Sequence, residues 1–238
     1  MSLSMSLSKD DLMELPRDLS ELPPFEKEGK TAVRCILPPH GKMIAIKDAM
    51  LTYLPAGQVS FKHKGRGTKN RIQSLFTAEA FVPLMTVENK SELEHAAVYF
   101  SRGRKVVMLD LHGTIIVDAN SILCFPPSIH HEIRVMKSVG SIFRSGLFQL
   151  CLKGDGPVAL VAPTAPISLK VHNDRPVRVD AGCALAWSDG LEVDFKFDFH
   201  RKDLIGKGSG EQVQLEFSGE GYVIVAARSK ARSIGVRR

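Results

Sequence analysis

The stretch Gly154-Asp-Gly-Pro-Val-Ala-Leu-Val161 recurs later in the chain as Gly219-Glu-Gly-Tyr-Val-Ile-Val225. In both copies, two glycines flank an acidic residue and an apolar segment follows. Because glycine adopts positive φ angles without steric cost, each copy predicts a tight hairpin turn followed by a strand. A turn and a strand that recur in the same order indicate a fold built from copies of one strand unit.

The similarity extends on both sides of these glycines. Val117-Asp-Ala119 matches Val179-Asp-Ala181 and marks a second equivalent bend, and Lys47-Asp-Ala49 indicates a fainter third copy. In segments such as Leu191–Phe199, apolar residues fall on every second position, which places them on one face of a half-buried strand. The sequence therefore predicts an all-β, antiparallel sandwich-like or barrel-like fold of about three pseudo-symmetric strand repeats.

These repeats occupy most of the chain. We predict a single β domain over residues 31–227, followed by a basic tail at residues 228–238. Ahead of the domain, residues 9–30 are expected to form a helix from Lys9 to Leu15, which Pro16 ends, and then an irregular lead-in. Residues 1–8 contain Met-Ser-Leu-Ser twice, and we interpret them as a cloning artefact outside the fold.

Residues 91–100 carry opposing signals. Ser91-Glu-Leu-Glu94 fits the capping box of a helix, whereas His95–Phe100 aligns with the strand that begins at Val158 in the following repeat. We predict the strand.

The composition is that of a soluble globular protein, with 44% hydrophobic and 24% charged residues. No segment approaches the roughly 20 apolar residues of a transmembrane helix, and residues 1–15 lack the features of a secretory signal. The cysteines lack Cys-x-x-Cys spacing and predict buried free thiols in a reducing compartment. They are Cys35, Cys124, Cys151 and Cys183. We therefore expect a cytoplasmic protein.

Three segments resemble the Altered Inheritance of Mitochondria twenty-four family: Gly154–Val161, Arg178–Trp187 and the ending from Gly208 to Val225. The similarity spans roughly Val33 to Ala227, and its motifs are glycine and turn positions. The resemblance implies a fold like that of the tryptophan RNA-binding attenuator protein, with pseudo-symmetric antiparallel units. It implies no established biochemical activity for bacterial or archaeal members and no catalytic residue to transfer.

Eukaryotic members of that family are associated with the mitochondrial inner membrane. The first twenty residues of this chain, however, carry four acidic residues, where a mitochondrial presequence is poor in acids. We therefore predict a prokaryotic, cytoplasmic location, and a mitochondrial one only for a eukaryotic member.

The basicity of the chain is local. Its net charge is +6, and the tail from Arg228 to Arg238 carries five of the cations without an acid. The other basic segment is Lys62–Arg71. Clustered cations attract phosphate groups, so the two segments predict binding to nucleic acid or to an anionic membrane surface. The segment Lys62–Arg71 contains no aromatic residue that would stack on a base, and basic tails are often only solvated. The candidate residues are Lys62, Lys64, Arg66, Lys69, Arg71, Arg228, Lys230 and Arg232.

Three histidines are the candidates for a metal or small-molecule site between repeats. His112 and His172 occupy equivalent positions, whereas His130 stands beside His131 and Glu132. Adjacent side chains on a strand point to opposite faces, so His130 and His131 are not expected to chelate one ion. Turn and surface roles explain all three histidines, and we predict no metal and no cofactor.

The sequence contains no assembled catalytic motif. It has no Gly-x-Ser-x-Gly elbow and no Walker pattern, and the cysteines lie in apolar strands where burial weakens thiol reactivity. We therefore predict a non-enzymatic β scaffold that forms a homo-oligomer, because sheet edges left open by repeats are satisfied by symmetric assembly. Nucleic-acid or membrane-surface binding is the first alternative, and a small-molecule or metal site is the second.

Overall fold

The structure is a computed structural model that describes residue 16 and residues 18–63, 82–135, 148–197 and 213–228. Within these ranges the chain is almost entirely strand, with one 3₁₀ turn at Leu19–Glu21. This confirms the all-β prediction. The strands are β1 Phe25–Glu28, β2 Ala32–Leu37, β3 Lys42–Ile46, β4 Met50–Leu54, β5 Val59–His63, β6 Leu84–Asn89, β7 Ala96–Ser101, β8 Lys105–Asp118, β9 Ile122–Phe125, β10 His130–Val135, β11 Phe148–Ala162, β12 Ile167–Val171, β13 Val177–Asp180, β14 Ala184–Ser188, β15 Glu192–Phe197, β16 Val213–Ser218 and β17 Gly221–Val225.

The strands form three units with one pairing scheme. Unit 1 is β2–β7, unit 2 is β8–β11 and unit 3 is β12–β17. In each unit the first and third strands pair with the sixth, and the second and fourth strands pair with the fifth, always antiparallel. In unit 2, the long strand β8 supplies positions one and two, and β11 supplies positions five and six.

The pairing register also repeats, which confirms the pseudo-symmetric units. The matched pairs of units 2 and 3 are Leu111–Gly156 with Val171–Gly221, Val117–Leu150 with Val179–Leu215, and Ile122–Leu160 with Ala184–Val225. The difference in residue number between the two glycine motifs is therefore the same as the difference between structurally equivalent residues of β11 and of β16 and β17.

Unit 1 follows the same register, but its sequence alignment was wrong by two residues. The turn after the second strand is closed by a hydrogen bond to the carbonyl oxygen of Asp118 in unit 2, Asp180 in unit 3 and Ile46 in unit 1. Ile46, and not Asp48, therefore takes the aspartate's place. The match of Lys47-Asp-Ala49 to the other two bends is therefore offset by two residues, because unit 1 makes this turn with different residues.

The hairpin prediction for the glycine motifs is also wrong. Gly154 and Gly156, with φ of 140° and 136°, lie inside β11 and pair with Gly113 and Leu111 of β8. Gly219 connects β16 to β17, which belong to different sheets. These glycines bend a strand where it passes from one sheet region to the next, because only glycine tolerates such φ values without a clash.

Units join through their second and third strands. β3 of unit 1 pairs with β9 of unit 2, and β8 of unit 2 pairs with β14 of unit 3. We call these contacts the closed junctions. They link most strands into one ten-stranded sheet, whereas β4 ends a four-stranded sheet and β13 ends a three-stranded sheet.

One apolar core serves all three units. Its fully buried members include Val98 from unit 1, Phe125 and Leu160 from unit 2, and Ala186 from unit 3. A smaller core in unit 3 surrounds Trp187 and Phe217, whose ring centroids lie 5.4 Å apart. Burial of these side chains stabilises the fold by about 25 cal/mol for each Å² of apolar surface removed from water.

The N-terminal lead-in is more ordered than we expected. Phe25–Glu28, predicted to be irregular, forms β1 and pairs with β2, and the buried Arg34 holds it through ion pairs to Glu26 and Glu28. The helix predicted at Lys9–Leu15 lies outside the described residues. No helix in the described part of the chain is long and apolar enough to cross a membrane.

The strand predicted at His95–Phe100 is confirmed as β7. The preceding Ser91 does act as a cap, since its Oγ accepts hydrogen bonds from the N–H groups of Leu93 and Glu94, but only a turn follows. Both local signals were therefore real, and the strand pairing with β2 and β4 decided the outcome.

Candidate functional site

The candidate site is the place where a third junction would form. By the scheme of the closed junctions, the second strand of unit 3, β13, would pair with the third strand of unit 1, β4. In the described residues β13 pairs only with β16, and β4 pairs only with β7. We call β4 and β13 the open junction.

A leucine that occupies the same position in each unit differs in exposure between the closed junctions and the open junction. In every unit, the third strand carries a one-residue bulge against the sixth strand, and the bulged residue is Leu51, Leu123 or Leu185. Leu123 is 0% exposed and Leu185 is 3% exposed, but Leu51 is 60% exposed. Met50 before it is 39% exposed, whereas its counterparts Ile122 and Ala184 are buried.

Neither edge of the open junction carries an uncompensated charge. β4 reads Met-Leu-Thr-Tyr-Leu. On β13, the exposed Arg178 is paired with Glu216, with 2.6 Å between Nε and Oε2. Hydrogen bonds from Arg178 and Lys196 lower the pKa of Glu216, so the pair stays ionised at neutral pH. An uncharged edge strand with exposed apolar side chains is prone to pair with another strand.

Arg228 is the only candidate of the basic tail within the described residues, and it lies beside the open junction. Its Nη2 is 2.7 Å from Oδ1 of Asp180, the last residue of β13. This ion pair holds the segment that follows β17 against the end of β13. Lys230 and Arg232 lie outside the described residues.

Lys62 belongs to a cluster around one carboxylate. The Glu88 side chain, 9% exposed, receives Lys62 at 2.7 Å, Lys90 at 2.8 Å and Lys42 at 3.6 Å. Hydrogen bonds from Lys62 and Lys90 lower the pKa of Glu88 to about 2. Three lysines against one carboxylate leave a local surplus of two positive charges. The other candidates of this segment, Lys64, Arg66, Lys69 and Arg71, lie outside the described residues.

The histidines occupy the bends between the first and second strands. Nδ1 of His112 is 3.2 Å from Asp155, and Nδ1 of His172 is 3.3 Å from Glu220. The corresponding bend of unit 1 holds a third such pair, in which Nε2 of His40 is 2.9 Å from Glu92. The sequence analysis did not single out His40, although the glycine that follows it matches Gly113 after His112 and was an available signal.

These pairs do not assemble into a joint site. Each is formed within its own unit, and no described contact links one pair to another. His112 also approaches Asp110, but through Nε2 at 3.4 Å, so its two carboxylates meet different ring nitrogens. Across the described ranges, no group of three potential ligands is arranged around one point.

His130 and His131 lie on β10 with opposite orientations, as predicted. His130 is exposed, and the half-buried His131 packs its ring against Phe125, with centroids 5.4 Å apart. Neither arrangement favours chelation by both residues.

The buried groups with altered acidity have structural partners. Burial raises the pKa of the Asp118 carboxyl, which accepts hydrogen bonds from Ser121 and Asn120 in its own turn. Burial likewise raises the pKa of the Cys124 and Cys151 thiols, which keeps them in the poorly nucleophilic protonated form. Cys35 is also buried, and Cys183 is half-buried.

Comparison with known proteins agrees with the fold. The crystal structure of protein SPYM3_0169 from Streptococcus pyogenes superposes with a TM-score of 0.68 over 86% of this chain and 92% of that chain, at 15% sequence identity. At that identity the likeness shows the fold alone. No curated protein matches the sequence.

A family model described as mitochondrial biogenesis AIM24 matches residues 25–228. This confirms the resemblance found in the glycine and turn motifs, while the finer likeness to the tryptophan RNA-binding attenuator protein stays a prediction. Because the match covers most of the chain, the protein belongs to the AIM24 family.

Proposed function

We propose that the protein is a non-enzymatic β scaffold that self-associates through the exposed edge of β4. The observation that carries the proposal is the exposure of Leu51, 60% against 0% and 3% for its two equivalents. A position that is buried in two units and exposed in the third supports the proposal that the β4 edge binds a partner strand.

The energetics support association through a whole edge and not through one side chain. Full burial of a leucine contributes about 1.5–3 kcal/mol, whereas association costs at least about 4 kcal/mol in lost freedom. Leu51 and Met50 are 60% and 39% exposed, so the burial still to be gained at these two side chains falls below that cost, and the backbone hydrogen bonds and other contacts of an added strand have to supply the rest. Two carboxyls with shifted pKa values, Asp118 and Glu216, are engaged in a turn and in ion pairs, which is consistent with a structural role for them.

Light scattering of the full chain over a hundredfold range of concentration tests the proposal. We expect a mass above that of one chain that rises with concentration, and a smaller mass for Leu51→Lys. Leu93→Lys is the matched control, because Leu93 is 87% exposed but lies in the turn before β7 and not on a sheet edge. A monomer at every concentration would refute self-association.

A second candidate function is binding to a phosphate-bearing surface, either nucleic acid or an anionic membrane. It is favoured by Lys42, Lys62 and Lys90, which leave two positive charges uncompensated around Glu88. We expect binding to anionic vesicles or to nucleic acid that weakens steeply with salt, and that is reduced in Lys62→Ala and Lys64→Ala but not in Lys196→Ala. Salt-independent binding, or none, would exclude this function.

The cytoplasmic location stays a prediction, and fractionation of the source cells tests it. No observation in the described residues favours a metal or small-molecule site over a structural role for His112, His130 and His172.

A further inference from the structure

We infer that self-association is head to tail, with the β4 edge of one copy paired to the β13 edge of a second copy. This inference rests on the self-association proposed above and identifies its partner surface. The inference is drawn from the internal repeat, because the two closed junctions, β3 with β9 and β8 with β14, show the geometry of such a contact.

The two closed junctions have one register. At the first, Ala45 stands opposite Cys124, and at the second, Val117 stands opposite Ala186. Cys124 and Ala186 each follow the bulged leucine of their strand directly. Ala45 and Val117 each lie one residue before the residue whose carbonyl oxygen closes the following turn, Ile46 or Asp118.

The same rule specifies the third junction residue by residue. Thr52 follows the bulged Leu51, and Val179 precedes the turn residue Asp180. Thr52 is therefore placed opposite Val179. Antiparallel pairing then places Tyr53 opposite Arg178 and Leu54 opposite Val177. All of these residues lie within β4 and β13, so both halves of the junction already have the required strand conformation.

The length and charge of the two edges fit this pairing. The closed junctions are short, with two and three residue pairs. Pro176 comes directly before β13 and Pro55 directly after β4, and a proline cannot donate to a ladder, so the third junction is limited to a similar length. β4 brings no charge, and Arg178 is already neutralised by Glu216.

The junction continues an interface that the molecule already uses. At the two closed junctions, where a neighbouring strand is paired, the bulged leucines Leu123 and Leu185 are 0% and 3% exposed. Pairing with β13 is therefore expected to bury Leu51. Since β4 and β13 are different surfaces, the contact is heterologous, and each copy retains one free edge until a ring closes or a filament grows.

The test uses complementary blocked copies of the full chain. Leu51→Lys blocks the β4 edge, and Val177→Lys blocks the β13 edge, where a lysine stem still covers apolar surface while its charge opposes pairing. Circular dichroism and thermal melting establish that each variant is folded. We expect each variant alone to have the mass of one chain, and an equimolar mixture to have twice that mass, because one intact edge remains on each.

The outcomes separate this inference from the proposed function. A monomeric wild type refutes both. A wild-type oligomer that neither substitution affects leaves self-association standing and overturns the head-to-tail junction. An oligomer that persists in Val177→Lys but not in Leu51→Lys indicates pairing of β4 with β4, and also overturns the inference.

Cysteine cross-linking gives a second, independent measurement. In a Cys183→Ser background, Thr52→Cys and Val179→Cys are placed on separate copies, mixed and oxidised. We expect a cross-linked dimer in the mixture and none with either copy alone. The chain that carries both substitutions is expected to give a ladder of covalent oligomers. A bond formed only within single chains would overturn the inference, since it would mean that β4 and β13 of one molecule close on each other.

Discussion

Strands β4 and β9 occupy the same position in consecutive units and carry the same bulge and the same leucine. β9 is buried along its whole length because β3 covers its outer edge, whereas the first three residues of β4 are exposed. The backbone pairing inside each unit is the same for both strands. The comparison teaches that burial at this position is determined by the neighbouring unit and not by the unit itself.

The largest effect is expected from truncating the two leucines. Leu123→Ala removes a fully buried side chain and is expected to lower the free energy of unfolding by about 2–5 kcal/mol. Leu51→Ala is expected to change it by no more than about 0.5 kcal/mol in the dissociated chain. Urea denaturation at low protein concentration measures both. An equally large loss for Leu51→Ala would break the comparison, because the β4 edge would then already be covered within one molecule.

A smaller effect is expected at the bends that join the sheet regions. Gly154→Ala places a Cβ at φ of 140°, 3.4 Å from the carbonyl oxygen of Ser128, and is expected to destabilise unit 2 by about 1–3 kcal/mol. Unit 1 has Asn89 in the equivalent place. The control is Gly103→Asn, at φ of 65° in open space, which asparagine tolerates. Equal melting temperatures for the two variants would show that the bend does not require glycine.

At one equivalent position, the side chain is acidic in unit 1 and basic in unit 2. Glu88 of unit 1 corresponds to Lys153 of unit 2, since each stands opposite the first residue after the bend, Lys42 or Thr114. Because the folded pKa of Glu88 is about 2 and its ordinary value is 4.5, its stabilisation is present above pH 4.5 and is lost as pH falls toward 2. Glu88→Gln should therefore flatten the acid limb of the stability curve.

Lys153→Gln is the matched control and should leave that limb unchanged. Thermal melts between pH 2 and pH 7 measure both variants. An acid limb that is unaltered in Glu88→Gln would show that the lysines do not act on this carboxylate in solution.

The smallest effect is expected at the histidines, where the three units agree. His40, His112 and His172 each contact an exposed acid, and exposed polar contacts of this kind contribute no more than about 0–1 kcal/mol. Substitution of any one with Gln should lower the free energy of unfolding by less than about 1 kcal/mol. Isothermal titration of the untagged protein with zinc should give no heat that depends on these residues. Tight binding lost in His112→Gln would establish a site at one bend that the other two lack.

Much of the fold could be predicted from the sequence, because the glycine motifs and the alternation of apolar residues are local signals. The spacing of Gly154 and Gly219 predicted equivalent positions, and the resemblance to the AIM24 family was confirmed. The role of these glycines was misread, since a glycine that bends a continuous strand and one that closes a hairpin leave the same trace in a sequence. Unit 1 was aligned wrongly because its turn residues differ.

The candidate site was harder to predict from the sequence than the fold. Lys62 was predicted as part of a segment that binds anions, and its ion pair with Glu88 of the neighbouring strand β6 was not foreseen, because pairing across strands cannot be seen in one segment. β4 was not singled out, because Met-Leu-Thr-Tyr-Leu reads as an ordinary buried strand. The partner of His40 was missed for the same reason, since Glu92 is distant in sequence.

The sequence by itself determined that the chain forms strands, that the strands recur in units and that glycines stand at the bends. These properties follow from φ preferences and from side-chain alternation, both of which act over a few residues. Only the tertiary structure decided that two junctions between units are closed and that β4 and β13 are left as edges. An edge is exposed or covered according to which distant strand lies beside it, and that neighbour is chosen by packing of the whole chain.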